Sequence, residues 1–280
     1  MPRTLAIELF KEMVSRPEDR IDLGLAALLI ALDEYPNLNV RQYLKEIDQL
    51  AAKIQSQMEF SAGARPIDAI EKINQTMFER EGFRGNSEDY YDPRNSFLNE
   101  VIDRKTGIPI TLSLLYMEVG KRVGLPFQGV GMPGHFIVKC LHQSLEIFVD
   151  PFNQGEILLE GGCKKKLRQI YGEDFQFDES YLNPVTKRQI LSRILNNLKQ
   201  IYFHLEDFSK TLGVIEKILL ITPDAPGEVR DRGTVQYKLG NYSRALKDWT
   251  HYLELQPLAA DAQEIKNHLA TTGRMLAFRN

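Results

Sequence analysis

Cysteine is scarce: 280 residues hold only Cys140 and Cys163, too few for a disulfide framework. A reduced, cytoplasmic setting fits that usage. Long apolar runs are missing as well. The longest, Leu23 to Leu32, is about half of the roughly twenty residues that a membrane-spanning helix needs. It reads as a buried core helix, and no membrane partner is expected. The start, Met1-Pro2-Arg3-Thr4 leading to Glu8, Lys11 and Glu12, lacks the pattern of a secretory signal. Excess charge is absent too. The net charge is -3, and the single basic run, Lys164-Lys165-Lys166 with Arg168, reads as a solvated turn. Nucleic acid is therefore not an expected partner. The cysteines and histidines show no paired ligand spacing, so no metal and no cofactor is expected.

What is present begins with helices. Leu5, Leu9 and Met13 recur at helical spacing and Pro17 ends that run. Arg20 to Glu34 reads as a second helix and Val40 to about Met58 as a third. Pro66 opens a fourth, with Ile67, Ile70, Ile73 and Met77 on one face. Glu81 to Asn86 is a glycine-rich loop. A polar cluster follows, from Asp89-Tyr90-Tyr91-Asp92 through Asn95 and Ser96 to Asn99. In one reading these groups cap a helix and tie down the loop. In the other, Asn95 or Asn99 lines a cleft.

The central stretch carries the chemistry. Pro109 suits the first turn of a helix, Leu112, Leu115, Tyr116 and Val119 point inward, and Gly124 stops it. A helix N-terminus would lower the pKa of a thiol or hold an anion, yet only the hydroxyls of Thr111 and Ser113 are nearby. Phe127 to Gly131 reads as a strand. After Pro133-Gly134, a strand starting at His135 puts His135, Ile137 and Lys139 on one face and Cys140 on the other. The next strand, Leu145 to Asp150, ends in a carboxylate that could orient the imidazole. Cys163, in what reads as a Gly161-Gly162 loop, is a weak alternative nucleophile with three lysines beside it.

From about Thr186 the pattern is helical to the end. Leu205 to Pro223 superimposes on Leu239 to Pro257 with a period of 34 residues, pairing Phe208 with Tyr242, Leu212 with Leu246 and Leu219 with Leu253. That is the tetratricopeptide period, in which helix pairs bury their apolar faces by stacking. Two repeats span about Gln189 to Pro257, with a capping helix from Ala259.

The order helix, Gly-Leu-Pro, strand, Gly-His-Phe, strand, Val-Asp-Pro resembles the transglutaminase-like core, a papain-related fold whose enzymes use Cys-His-Asp. The phrases Tyr90 to Asn99, Gly107 to Leu112 and Pro133 to Phe136 resemble the bacterial SirB1 family. The resemblance implies an α+β fold. N-terminal helices and a core with a small antiparallel sheet occupy 1–185 (core about 81–185), and a repeat segment occupies 186–280. It matches His135 and Asp150 to two triad positions and places the cysteine near Pro109 or Ile110. The reading preferred here is a non-catalytic, regulatory protein that binds a protein or peptide through the His135/Asp150 cleft and the repeats. The alternative is a hydrolase or transferase on peptide or amide bonds, with His135 as base and Asp150 orienting it. Thr111 is then a weak substitute nucleophile, and Asn95, Asn99, Tyr91 and Pro109 bind.

Overall fold

A computed structural model describes residues 3–58, 65–142 and 145–277. The described residues fall into two compact units, those within 3–9 and 16–194 and those within 10–15 and 195–277.

The chain opens with α1, Arg3–Ser15. Its buried residues are Ala6, Phe10, Met13 and Val14 while Leu5 is exposed, so the apolar stripe is rotated from the expected Leu5–Leu9–Met13 line. The expected second helix is shorter than read: a 3-10 turn at Glu18–Arg20 precedes α2, Leu23–Ala31, capped by Asp22 through Leu25 N. All but one of the nine residues of α2 are buried, as a uniformly apolar helix requires. Next come α3, Val40–Gln55, and α4, Pro66–Asn74. A π-helical turn, Gln75–Arg80, prolongs α4 and buries Met77 and Phe78.

Strand β1, Arg84–Gly85, pairs in parallel with β2, Thr106–Gly107, and α5, Leu98–Arg104, lies between them in sequence. Then α6, Pro109–Arg122, runs through the middle of the unit with eleven buried residues, among them Leu112, Leu115, Tyr116 and Val119. Gly124, at φ +85°, ends it, in the left-handed conformation that glycine adopts without penalty.

The antiparallel sheet is β3, Gln128–Val130; β4, Ile137–His142; β5, Leu145–Asp150; and β6, Glu156–Leu158, in that spatial order. β4 begins two residues later than the sequence reading placed it. His135 and Phe136 lie outside the strand, because the His135 N–H closes a turn onto the Met132 carbonyl at 3.2 Å. The Gly161-Gly162-Cys163 stretch, expected as a loop, is the start of α7, Glu160–Tyr171. Cys163 and Leu167, one helical turn apart, are buried with Val130, Ile137, Phe148 and Leu158.

α8, Lys187–His204, leads into the repeats: α9, Phe208–Ile221; α10, Pro226–Lys238; α11, Tyr242–Leu255; and α12, Ala262–Ala277. α9 and α11 start and stop 34 residues apart. Even the left-handed residue before each recurs, Glu206 at φ 56° and Gly240 at φ 76°. Ile215, Val229, Val235, Trp249 and Ile265 form their core. Gly233 admits the indole, since a Cβ there would stand 2.6 Å from Trp249. Among the described residues no helix is long and apolar enough to cross a membrane.

Candidate functional site

β4 and β5 pair with the register Val138↔Val149, which sets Asp150 at the start of β4, within reach of His135 two residues before it. His135 Nε2 and Asp150 Oδ2 stand 2.7 Å apart, with Asp150 fully buried. The carboxylate is heavily coordinated. Oδ1 accepts from Phe152 N at 3.1 Å and Asn153 N at 3.3 Å, and Oδ2 from Asn153 Nδ2 at 2.8 Å and from Lys166 Nζ. Lys166 also donates to Glu156 at 2.8 Å.

Burial by itself pushes the Asp150 pKa up. The His135 hydrogen bond and charge, with the Lys166 and Asn153 bonds, outweigh it and hold the carboxyl down at about 2. Lys166 is affected in the opposite sense: burial lowers its pKa, but Asp150 and Glu156 raise it more. A carboxylate ionised at neutral pH can only accept, so Nε2 carries the proton and donates it. Nδ1 is then the ring nitrogen left to face a ligand, and it accepts a hydrogen bond when the ring is neutral. Among the described residues no side chain hydrogen-bonds Nδ1. The Phe152 ring meets the imidazole edge-on at 6.0 Å and fixes its tilt. Gly85 makes room for Phe152, because a Cβ there would lie 2.7 Å from that ring.

Pro109 is the first residue of α6 and is buried, as is Ile110. The Thr111 hydroxyl is committed to the backbone: it donates to the Asn95 carbonyl at 2.7 Å and accepts from Ile108 N at 3.2 Å. The Ser113 hydroxyl reaches the Phe136 carbonyl at 3.3 Å, tying α6 to the segment that bears His135. Asn95 is fully buried, and its amide donates to the Asp89 carbonyl at 2.7 Å and accepts from Asn86 at 3.2 Å. That is the loop-tying role. Asn99 is buried in α5, and its Oδ1 has no hydrogen-bond partner among the described residues. Tyr91 is 73% exposed and stands edge-on to Tyr90 at 5.4 Å. Thus His135 meets Asp150, and Thr111 meets Asn95. Asn99 and Tyr91 make no hydrogen bond to either pair among the described residues.

A polar cavity of about 700 Å³ opens beside Arg84, Asn86, Asp92 and Arg104, and a second of about 310 Å³ beside Lys53, Glu81 and Phe83. Neither is lined by His135 or Asp150. Both cysteines are buried thiols outside any disulfide, and burial pushes the Cys140 pKa up. Cys163 is enclosed by apolar side chains, not presented on a loop. Among the described residues no group of three His, Cys, Asp or Glu could hold a metal ion.

Lys166 is the site residue that the sequence reading missed, having taken its run for a solvated turn. Cys163 and Leu167 at helical spacing were the available signal. A helix there fixes Lys166 in place against β5 and β6.

The whole-chain comparisons agree with this architecture. The family model described as transglutaminase-like superfamily matches residues 41–196, and one described as tetratricopeptide repeat matches 198–270. A "UPF0162 protein" of Xylella fastidiosa is 34% identical over 272 residues, covering 96% of each chain. One of Vibrio cholerae is 30% identical over 202 residues, covering 71% of this chain and 74% of its own. "F-box only protein 21" of mouse is 30% identical over 149 residues, covering 50% of this chain and 22% of its own. With a model match over more than half its length and a relative alike along nearly all of it, the chain belongs to the transglutaminase-like superfamily, as a SirB1-type (UPF0162) member that carries tetratricopeptide repeats after its core.

Proposed function

We propose that this protein binds a protein or peptide without catalysing a reaction on it, through the His135/Asp150 site in the core (about 81–185) and the repeats (186–280). One observation carries the reading. The helix that opens a transglutaminase-like site begins here with Pro109-Ile110, and neither side chain can attack a carbonyl. The hydroxyls within a turn, Thr111 and Ser113, are both bonded to backbone carbonyls. A hydroxyl needs an adjacent base to become a nucleophile, and these two have none. Tetratricopeptide helices generally serve protein–protein contact. In this reading His135 Nδ1 accepts a hydrogen bond from the ligand backbone, and Asp150 with Lys166 keeps the ring in the tautomer that can do so.

The test is a peptide array probed with the unaltered chain and with His135→Ala, alongside mass spectrometry of each bound peptide. The expected result is a subset of peptides that bind the parent, lose binding in the folded variant, and are recovered with unchanged mass. Cleavage or deamidation that depends on His135 would overturn the non-catalytic reading. It would favour the alternative, in which His135 acts as a base towards water. The buried 2.7 Å pair with Asp150 is the observation that keeps this alternative open.

A further inference from the structure

Among the described residues, Arg193, beside the site, has no carboxylate partner. Arg193, on α8 within the first unit, donates from Nη2 to the His135 carbonyl at 2.9 Å and the Met132 carbonyl at 3.3 Å. Its guanidinium stands 5.4 Å over the Phe136 ring. Gly131 leaves the room, since a Cβ there would lie 3.2 Å from Nη1. These contacts fix the group against the turn that bears His135. Carbonyls satisfy two donors and leave the charge. Arg104, Arg122, Arg230 and Arg232 each pair with a carboxylate. Among the described residues Arg193 pairs with none, and Nε and Nη1 have no acceptor.

The surroundings describe the ligand. Burial lowers the Arg193 pKa, and the Tyr90 and Tyr171 phenols near it act in the opposite sense. The Tyr171 hydroxyl closes on the same turn, 2.7 Å from where a Cβ would sit on Gly134. Both rings are partly open, Tyr90 at 37% and Tyr171 at 50%, and Ile170 beside Tyr171 is 45% exposed. Lys166, the other cation at the site, is already paired with Asp150 and Glu156. One unshared positive charge among aromatic faces suits a singly charged anion on an amphipathic chain better than a phosphate dianion.

We propose that Arg193 anchors a carboxylate of the bound peptide, a C-terminus or an acidic side chain, with Tyr90 and Tyr171 flanking the chain that presents it. This rests on the peptide-binding reading above and names what that site selects. The probes are three N-acetylated peptides of alanine and phenylalanine: one with a free C-terminal carboxylate, its C-terminal amide, and the amide carrying one internal glutamate. Binding is followed by NMR at the Arg193 side chain and the His135 ring. The free acid is expected to bind about tenfold or more tighter than the amide, the gain of a hydrogen bond between charged groups. The internal glutamate restores binding if a side chain is the source and leaves it weak if the C-terminus is. Arg193→Gln should bring the acid down to the amide's affinity, and Arg193→Lys should keep part of the preference. Acid, amide and glutamate peptides all binding alike, or both variants binding the tighter peptide as tightly as the parent, would overturn the anchor. If in that case His135→Ala still abolishes binding, the peptide-binding reading stands without it. If no probe perturbs either resonance, both fall. Should Arg193→Gln unfold, the lysine variant and the acid–amide comparison on the unaltered chain decide.

Discussion

Replacing Asp150 with asparagine should cost stability in a way that depends on pH. In the folded chain the carboxyl is fully buried, takes its donors from His135, Phe152, Asn153 and Lys166, and titrates at about 2 in place of 3.8. A shift of that size is worth about 2.5 kcal/mol of stability at neutral pH. The folded-state pKa is the depressed one, so the contribution is complete above about pH 4 and is lost as the pH falls towards about 2. Asparagine keeps the shape and removes the charge. Urea unfolding followed by circular dichroism at a series of pH values should therefore show the parent more stable by about 2.5 kcal/mol near neutrality. The two curves should converge as Asp150 protonates. The only tryptophan, Trp249, lies in the repeat unit, so its fluorescence monitors that unit separately. A difference that stays constant from neutral pH to pH 2, or that is negligible at neutral pH, would refute the account of how this carboxylate is held.

Lys166→Met should move the acid limb of the same stability curve to higher pH, because Asp150 loses an ammonium donor; an unmoved limb would mean that the lysine only decorates the surface. Thr111→Val leaves Ile108 N and the Asn95 carbonyl without their hydroxyl partner and should lower stability by about 2 kcal/mol, read from the denaturation midpoint, while any binding at His135 is retained. Glu206 occupies a left-handed conformation where the next repeat has Gly240. Glu206→Gly should stabilise the repeats by about 0.5 kcal/mol, the relief of left-handed strain less the entropy cost of glycine, seen as a higher urea midpoint in Trp249 fluorescence.

Much of this fold is legible in the residues because the relevant signals are local. The 34-residue offset between Phe208 and Tyr242 is the offset between two helix starts, since each repeat must bury the same face. β5 could be read to the residue, Leu145–Asp150, and Gly124 marks the helix end. The errors are tertiary in origin. Leu5 looks like the first rung of an apolar stripe, yet the buried line runs through Ala6 and Phe10, and spacing alone does not say which line a neighbour covers. For Asn95 the sequence left a loop tie and a cleft residue side by side, and its bonds to the Asp89 and Tyr90 carbonyls are those of a loop tie. Lys166 looked solvated because two glycines hid the helix that aims it at Asp150.

The loop behind Asp150 is held from the far side. Tyr116 donates to Asn74 Oδ1 at 2.9 Å, and Asn74 Nδ2 donates to the Gly155 carbonyl at 2.7 Å. Gly155, at φ +76°, has Asn74 within 2.1 Å of where a side chain would begin. That relay joins the central helix to the turn that follows Asp150. The ordering entropy of the turn is thus spent when the chain folds, not when a ligand arrives. Association at this site then has no loop closure to wait for, and a ligand mixed with the protein should bind in a single kinetic phase whose rate rises linearly with its concentration.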